Sequence, residues 1–401
     1  MPSTKPEARI ACGLSEREDT ESAIAEIVES VAPQMRGTTD LAVVMFSPHH
    51  REHANEIASA LLDSLAPGAL LGLSAAGVVS NEHEVEKRPG ISLFAASLPG
   101  AKISAFTEAD LNWPEHENDE AALRESIGAH VDDLRAVILL ADPFTPLARL
   151  VPALSKSLDR SLDAPPAPLI GGVASAGQTA GENRYIFNDT VRTGGILGVT
   201  ISGSVRVDTV VSQGCRPIGK PFVVTKSRHN IIETLGGRPS LQAFQEMVVE
   251  LDDEDRDLLR KGLFVGFVVN EYQDRFGRGD FLIRNVVGVD DKKGVLAVSD
   301  IARVGQTVQF HVRDAASALE DLEMLLAAQQ LDEPPLGGLL FTCNGRGSNL
   351  FEDDGPNDAK TIRSMLNDIP LAGFFAAGEI GPVGPVSYIH GFTASLALFR
   401  V

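Results

Sequence analysis

The residues of this chain best suited to chemistry gather towards its C-terminal end. Leu340-Phe-Thr-Cys-Asn-Gly-Arg-Gly347 places a thiol, an amide and a guanidinium close together on what reads as a strand-end turn. Such a turn presents backbone N–H groups, and the planar fork of Arg346 suits a carboxylate or a phosphate. Gly378-Glu379 sets a carboxylate beside backbone free to turn, where it can receive an ammonium group, and His390 opens the last strand. Asn344, Gly345, Arg346, Gly378, Glu379 and His390 are therefore the candidate ligand-binding set, able to grip both ends of an amino-acid-like zwitterion. Arg284-Asn285 interrupts an apolar strand; a buried arginine needs a partner, a ligand or water, which makes the pair a further candidate. The plainer readings are a capped turn for Asn344, surface ion pairs for Arg346 and Glu379, and a hydrogen-bonded core residue for His390.

The same residue types allow a catalytic alternative. Cys343 as nucleophile, His390 as base and Glu379 as orienting acid, with Asn344 near an oxyanion, would make a thiol-dependent hydrolase or amidase. A strand-end cysteine is ordinarily a small buried hydrophobe, so binding is preferred to catalysis. His49, His50 and His53 form an H-H-x-x-H run with no accompanying ligand group, which fits a polar helix start better than a metal site. The Asn344–Gly347 loop lacks the Gly-Lys-Ser/Thr of a nucleotide-binding loop, and neither a cofactor nor a metal is expected.

These residues sit in a unit that occurs three times. Gly72-Leu-Ser-Ala-Ala-Gly77, Gly172-Val-Ala-Ser-Ala-Gly177 and Gly373-Phe-Phe-Ala-Ala-Gly378 share the pattern G-x-x-[A/S]-A-G. Ahead of each lies an apolar run that reads as a buried strand: Leu41–Phe46, Ala136–Leu140 and Gly338–Phe341. A helical stretch intervenes, over Arg51–Leu65, Pro146–Leu162 and Asp358–Leu366, and a Gly-led strand follows from Gly90, Gly195 and Gly391. Small residues between two glycines let the backbone turn sharply and approach a neighbour, either to shape a shared concavity or only to pack tightly. Between the second and third units, about Ser240–Glu333, a different stretch carries an acidic amphipathic helix over Leu241–Lys261, short strands and a helix over Ala315–Gln330. Gly236-Gly-Arg-Pro239 reads as a domain boundary. The expectation is an α/β (α+β) protein of mixed sheets flanked by helices, divided into an N-terminal extension (1–39), a first domain (40–236) and a second (237–401).

Bulk properties narrow the function. The 401 residues exceed one ordinary core and are 43% hydrophobic and 22% charged, the balance of a globular chain. A formal charge of −20, without a basic cluster, argues against nucleic acid. The acidic runs at Glu16–Glu29, Glu115–Glu120 and Leu251–Asp257 read as solvated helix faces. No apolar run approaches the ~20 residues of a membrane span. The start of the chain lacks the apolar core of a signal peptide, and three scattered cysteines suggest no disulfide framework; a cytoplasmic location is expected.

The Cys-Asn-Gly-Arg-Gly turn, the Gly373-Phe-Phe-Ala-Ala-Gly-Glu-Ile-Gly-Pro382 turn, the His390-Gly-Phe-Thr393 strand and Leu282-Ile-Arg-Asn-Val286 resemble the C-terminal half of FIST proteins. Gly72–Val79 and Ile170–Gly177 resemble the N-terminal half, so the similarity runs from about Asp40 to the end. The resemblance implies two FIST domains and an intracellular sensory role in signal transduction, with a small polar partner such as an amino acid or another carboxylate metabolite. It also implies a third possibility, a protein-interaction scaffold of the kind paired with F-box domains. The roughly forty residues ahead of the first unit leave no room for an F-box, kinase or cyclase domain, a departure from fused members that leaves the route of signal output open, a protein partner being one possibility.

Overall fold

A computed structural model of the chain describes residues 7–35, 37–113, 120–129, 133–159, 165–273, 275–352 and 355–401. Of the acidic run at 115–120, only Glu120 is among them. The chain forms two compact units, Met1–Val211 with Leu322–Val401, and Ser212–Asp321.

The first unit is built from one pattern used three times. Each repeat has a leading strand, a helix, a core strand, a second helix, a second core strand, a hairpin and a closing strand. In the first repeat these are Arg9–Ser15, Thr20–Val31, Leu41–Phe46, Ala54–Leu65, Ala69–Ser74, Gly77–Ser80 with His83–Glu86, and Ile91–Ser97. The second repeat runs Ala101–Thr107, Glu120–Ser126, Leu134–Ala141, Leu147–Ser157, Leu169–Val173, Tyr185–Phe187 with Thr190–Arg192, and Ile196–Gly203. The third begins at Arg206–Ser212 and resumes with the helix Ala315–Gln329, of which the part from Leu322 on belongs to this unit. It continues through Gly337–Cys343, Asp358–Met365, Leu371–Ala376, and Glu379–Val383 with Val386–His390, and closes with Ala394–Arg400. The expected triple unit is thus present, and longer than expected, because the leading strand and first helix recur too.

In each repeat the two core strands pair in parallel and the closing strand lies antiparallel beside the first of them. The sheet is then completed by a hairpin from another repeat. The first repeat's hairpin joins the third sheet, the second repeat's joins the first, and the third repeat's joins the second. This cyclic exchange links the three sheets around one shared core.

Alternation along the core strands explains their unbroken apolar character. Val43 and Met45, Ile138 and Leu140, and Leu339 and Phe341 point into one central core shared by all three sheets. Their neighbours Val44 and Phe46, Val137 and Leu139, and Leu340 point outward into three separate layers beneath the helices. Strands covered on both faces have no polar side to show.

The repeated hexapeptide is a packing device and a junction. A Cβ at Gly373 would overlap the Leu340 carbonyl oxygen across the parallel pair; in the second repeat the equivalent close approach falls one residue ahead of the hexapeptide, where a Cβ at Gly171 would overlap the Leu139 carbonyl oxygen. Only glycine lets the two backbones come so close. The three turns then meet at Ser175, whose hydroxyl accepts from Ala76 N–H at 2.8 Å and donates to the Phe375 carbonyl.

The second unit is a seven-stranded sheet in the order Arg216–Arg228, Thr307–Val312, Phe264–Val268, Phe281–Asp290, Val295–Val298, Ile231–Leu235, Arg238–Pro239, and it closes into a barrel because Arg216–Arg228 also pairs with Ile231–Leu235. Its own core includes Val265, Phe267, Leu296, Phe310 and Met247. The acidic helix expected over Leu241–Lys261 is two helices, Ser240–Glu250 and Asp253–Lys261. The break has a local cause, since the Asp252 side chain accepts from Asp255 N–H and starts a new helix. Elsewhere, the helix expected from Arg51 begins as a 3₁₀ segment, Pro48–His53, and turns α-helical from Ala54. The helix expected over Pro146–Leu162 is observed as Leu147–Ser157. No helix among the described residues is long and apolar enough to cross a membrane.

Candidate functional site

Arg346 does not offer its fork to solvent. It is 0% exposed, and it grips Asp358 in a bidentate pair, Nε to Oδ2 at 2.7 Å and Nη2 to Oδ1 at 2.6 Å. Thr342 Oγ1 donates to the same carboxylate at 2.7 Å, and Arg346 Nη1 reaches the Phe392 carbonyl at 3.3 Å. Asp358 stands in the first turn of Asp358–Met365, where the helix end favours an acid. The guanidinium lies 5.5 Å from the centre of the Phe351 ring.

Glu379 is also 0% exposed, and accepts from Thr393 N–H at 3.0 Å. Burial pushes its carboxyl up to about 8, against the opposing pull of that N–H, of Cys343 and of the Arg346 charge. Burial, together with the neighbouring Glu379 charge, pushes the Cys343 thiol up to about 12. A thiol held protonated is a poor nucleophile. His390 is 3% exposed, sits opposite Glu379 across the hairpin, and engages the Gly381 carbonyl through Nε2 at 2.9 Å. Arg346, Glu379 and His390 thus converge, but as a buried network and not as the walls of an open hollow.

The remaining candidates divide. Asn344 and Gly345 form the turn itself: Asn344 N–H donates to the Ala376 carbonyl and Gly345 N–H to Cys343 Sγ. The Gly378 carbonyl accepts from Val173 N–H, tying the third hexapeptide to the second repeat. Arg284 and Asn285 belong to the second unit, where Arg284 Nε pairs with Asp300 at 2.7 Å. His49, His50 and His53 turn to three different partners, Ser47, Thr20 and Glu56.

An open hollow does adjoin the Arg346 turn. It holds about 380 Å³, and its walls are Glu84, Glu86, Lys87 and Arg88 of the first hairpin with Gly347, Ser348, Phe351, Glu352 and Asn357 of the third repeat. Glu86 Oε1 accepts from Ser348 N–H at 2.7 Å, and Glu84 Oε1 accepts from Ala359 N–H at 3.1 Å. Each carboxylate thus gives one oxygen to a backbone N–H of the third repeat while its residue lines the hollow. Gly347 has φ +51°, and a Cβ there would overlap Glu86 Oε1 and lie 2.5 Å from Phe375 Cε1. The last glycine of Cys-Asn-Gly-Arg-Gly is therefore what lets the hairpin acid approach. Arg88 reaches Glu16 at 2.7 Å, while Lys87 has no carboxylate partner among the described residues.

Sequence reasoning passed over Glu84 and Glu86. The signal was available in their alternation around Val85, which is buried and sends both carboxylates to the opposite face. A larger cavity, about 600 Å³, is walled by prolines 165, 166, 168, 382 and 385 with Asp208 and Asp332. Its two aspartates already hold Arg206 and Arg400, so it offers less unspent charge than the hollow.

The FIST N domain model matches residues 40–238 and the FIST C domain model residues 240–382. The chain belongs to the FIST family. FIST domains are generally sensory domains of signal transduction. Uncharacterized protein Rv0628c of Mycobacterium tuberculosis is 40% identical over 98% of this FIST chain and 99% of its own length. Uncharacterized protein Mb0898c of Mycobacterium bovis is 38% identical, covering 98% of each. A solved structure, the cyanuric acid hydrolase from A. caulinodans, aligns over 98% of this chain and 99% of its own, at 8% identity and a TM-score of 0.34.

Proposed function

We propose that this FIST protein senses a small zwitterionic metabolite of amino-acid type, bound in the hollow between the first hairpin and the Arg346 turn. The observation that carries this reading is a cavity of metabolite size lined by charges of both signs that are not all consumed internally. The ligand ammonium lies between the carboxylates of Glu84 and Glu86, and its carboxylate meets Lys87. Its side chain rests on the Phe351 ring. Arg346 and Asp358 make no ligand contact; they hold the turn and the ring in place from behind. The burial of Cys343 and the engagement of His390 Nε2 speak against thiol catalysis at the turn.

The test is a melting-temperature screen of amino acids, other carboxylates and nucleotides. A ligand at a hundredfold excess over its dissociation constant stabilises the protein by about 2.7 kcal/mol. Lys87→Ala, at an exposed and unpaired side chain, should leave the unliganded melting temperature in place and weaken the best amino acid by about tenfold. Equal binding by the variant, or a response confined to nucleotides, would refute the site.

A further inference from the structure

We propose that Glu84 exchanges a proton for the ligand: an ammonium group entering the hollow takes the place of the proton on its carboxyl, which leaves to solvent. The proposal rests on the reading of the hollow given above and adds how its occupancy is regulated.

The geometry crowds acids. Glu84 and Glu86 come from the hairpin, Asp358 from the helix and Glu352 from the loop between turn and helix. Among the described residues, Arg346 acts on Glu84 electrostatically, Lys87 and Arg88 share its wall of the hollow, and Lys360 follows Ala359, whose N–H donates to Glu84. Arg346 is bound at both ends of its fork to Asp358, Arg88 is drawn to Glu16, and Lys360 Nζ is held by the Gly355 carbonyl. His83, on the same hairpin, stands by Glu82, whose own carboxylate is taken by Arg363. Glu84 is left with one backbone N–H, from Ala359, to stabilise a negative charge beside those of Asp358 and Glu86. Loss of hydration, first, and those two charges push its carboxyl up to about 8. So raised, the carboxyl tends to keep its proton near neutrality, and a cation delivered beside it in the hollow is what makes ionisation favourable.

The balance is simple. A protonated amine and a carboxylic acid give an ammonium–carboxylate pair in the hollow and one hydronium ion in bulk water. No oxidant or other reactant is needed.

The experiment uses the full chain and glycine, the head group shared by every α-amino acid, with acetate as the amine-free control. Calorimetric titrations in buffers of different protonation enthalpy count the protons released. The expected result is about one proton released per glycine near pH 7, and affinity rising about tenfold per pH unit from about pH 6 to about pH 8. Acetate should release none. In Glu84→Gln the amide oxygen still accepts from Ala359 N–H, and glycine should bind without proton release and without pH dependence. Should that variant fail to fold, proton release by the wild-type chain still decides. Glycine binding with no proton release overturns the exchange and leaves the binding site standing. Absence of glycine binding at every pH, while larger amino acids bind without proton release, does the same. If no amino acid binds at all, both readings fall.

Discussion

Arg346 and Asp358 are both fully buried, and each satisfies the other. Taking two charges out of water is costly, so the pair is a poor source of net stability; losing one partner is worse, because the other stays behind uncompensated. Arg346→Ala should destabilise the first unit by about 3–5 kcal/mol in denaturant unfolding, and Asp358→Leu combined with Arg346→Met should cost less than either single change. Glu379 has the opposite character. Its ordinary value is 4.5 and its folded value about 8, so the folded chain holds a proton that the unfolded chain has released. The stability it contributes is complete below about 4.5, declines as pH rises, and is gone above about 8. Glu379→Gln keeps an acceptor for Thr393 N–H without the ionisation. The melting temperature of the variant relative to wild type should rise between about pH 5 and about pH 8 and level off beyond; a difference that stays flat would contradict the assignment. Sequence singled out Arg346 and Glu379 without showing that both would be covered. The partner of Arg346 lies beyond a loop, in a helix whose first turn reads like any acidic cap, and nothing local says that a turn residue will be covered. Glu84 and Glu86 were passed over for a related reason: whether an acid meets bulk water or a hollow depends on what packs over it.

At the scale of elements, strands, helices and the triple unit were legible because they rest on local periodicity and on the need of paired backbones for glycine. The exchange of hairpins was not. Val78 pairs with Phe374 of another repeat, and a short strand such as Gly77–Ser80 carries the same pattern whichever edge it completes. Pairing at long sequence separation is specified by shape and by a few clips, here Glu82 on Arg363, Glu84 on Ala359 N–H and Glu86 on Ser348 N–H. The hexapeptides were visible as a repeat, but their meeting at Ser175 depends on all three sheets at once. Ser175→Ala removes the partner of one N–H and of one carbonyl at that junction. It should cost about 1–3 kcal/mol, whereas Ala176→Ser, next door and partly exposed, should cost far less. Thermal unfolding of the two variants makes the comparison, and equal losses would mean that the Ser175 bridge is incidental.

At the scale of the molecule, the exchange makes each repeat dependent on the others. No repeat supplies the hairpin that completes its own sheet, and the central core draws Met45, Ile138 and Phe341 from three different repeats. A ring of this kind has no terminal repeat from which to fray, unlike a solenoid whose repeats touch only their neighbours. Opening any one sheet exposes core from all of them, so the three should unfold as one cooperative body. Native-state hydrogen exchange tests this at residue resolution. Amides of Val43–Met45, Ile138–Leu140 and Leu340–Phe341 should open with the same free energy. Gly171→Ala, which drives a methyl group into the Leu139 carbonyl of the second repeat alone, should lower protection in all three by the same amount. Val265–Phe267, in the separate core of the second unit, should keep their protection. Loss confined to Ile138–Leu140 would mean that the repeats are stable one by one and that the hairpin exchange does not bind them into a single folding unit.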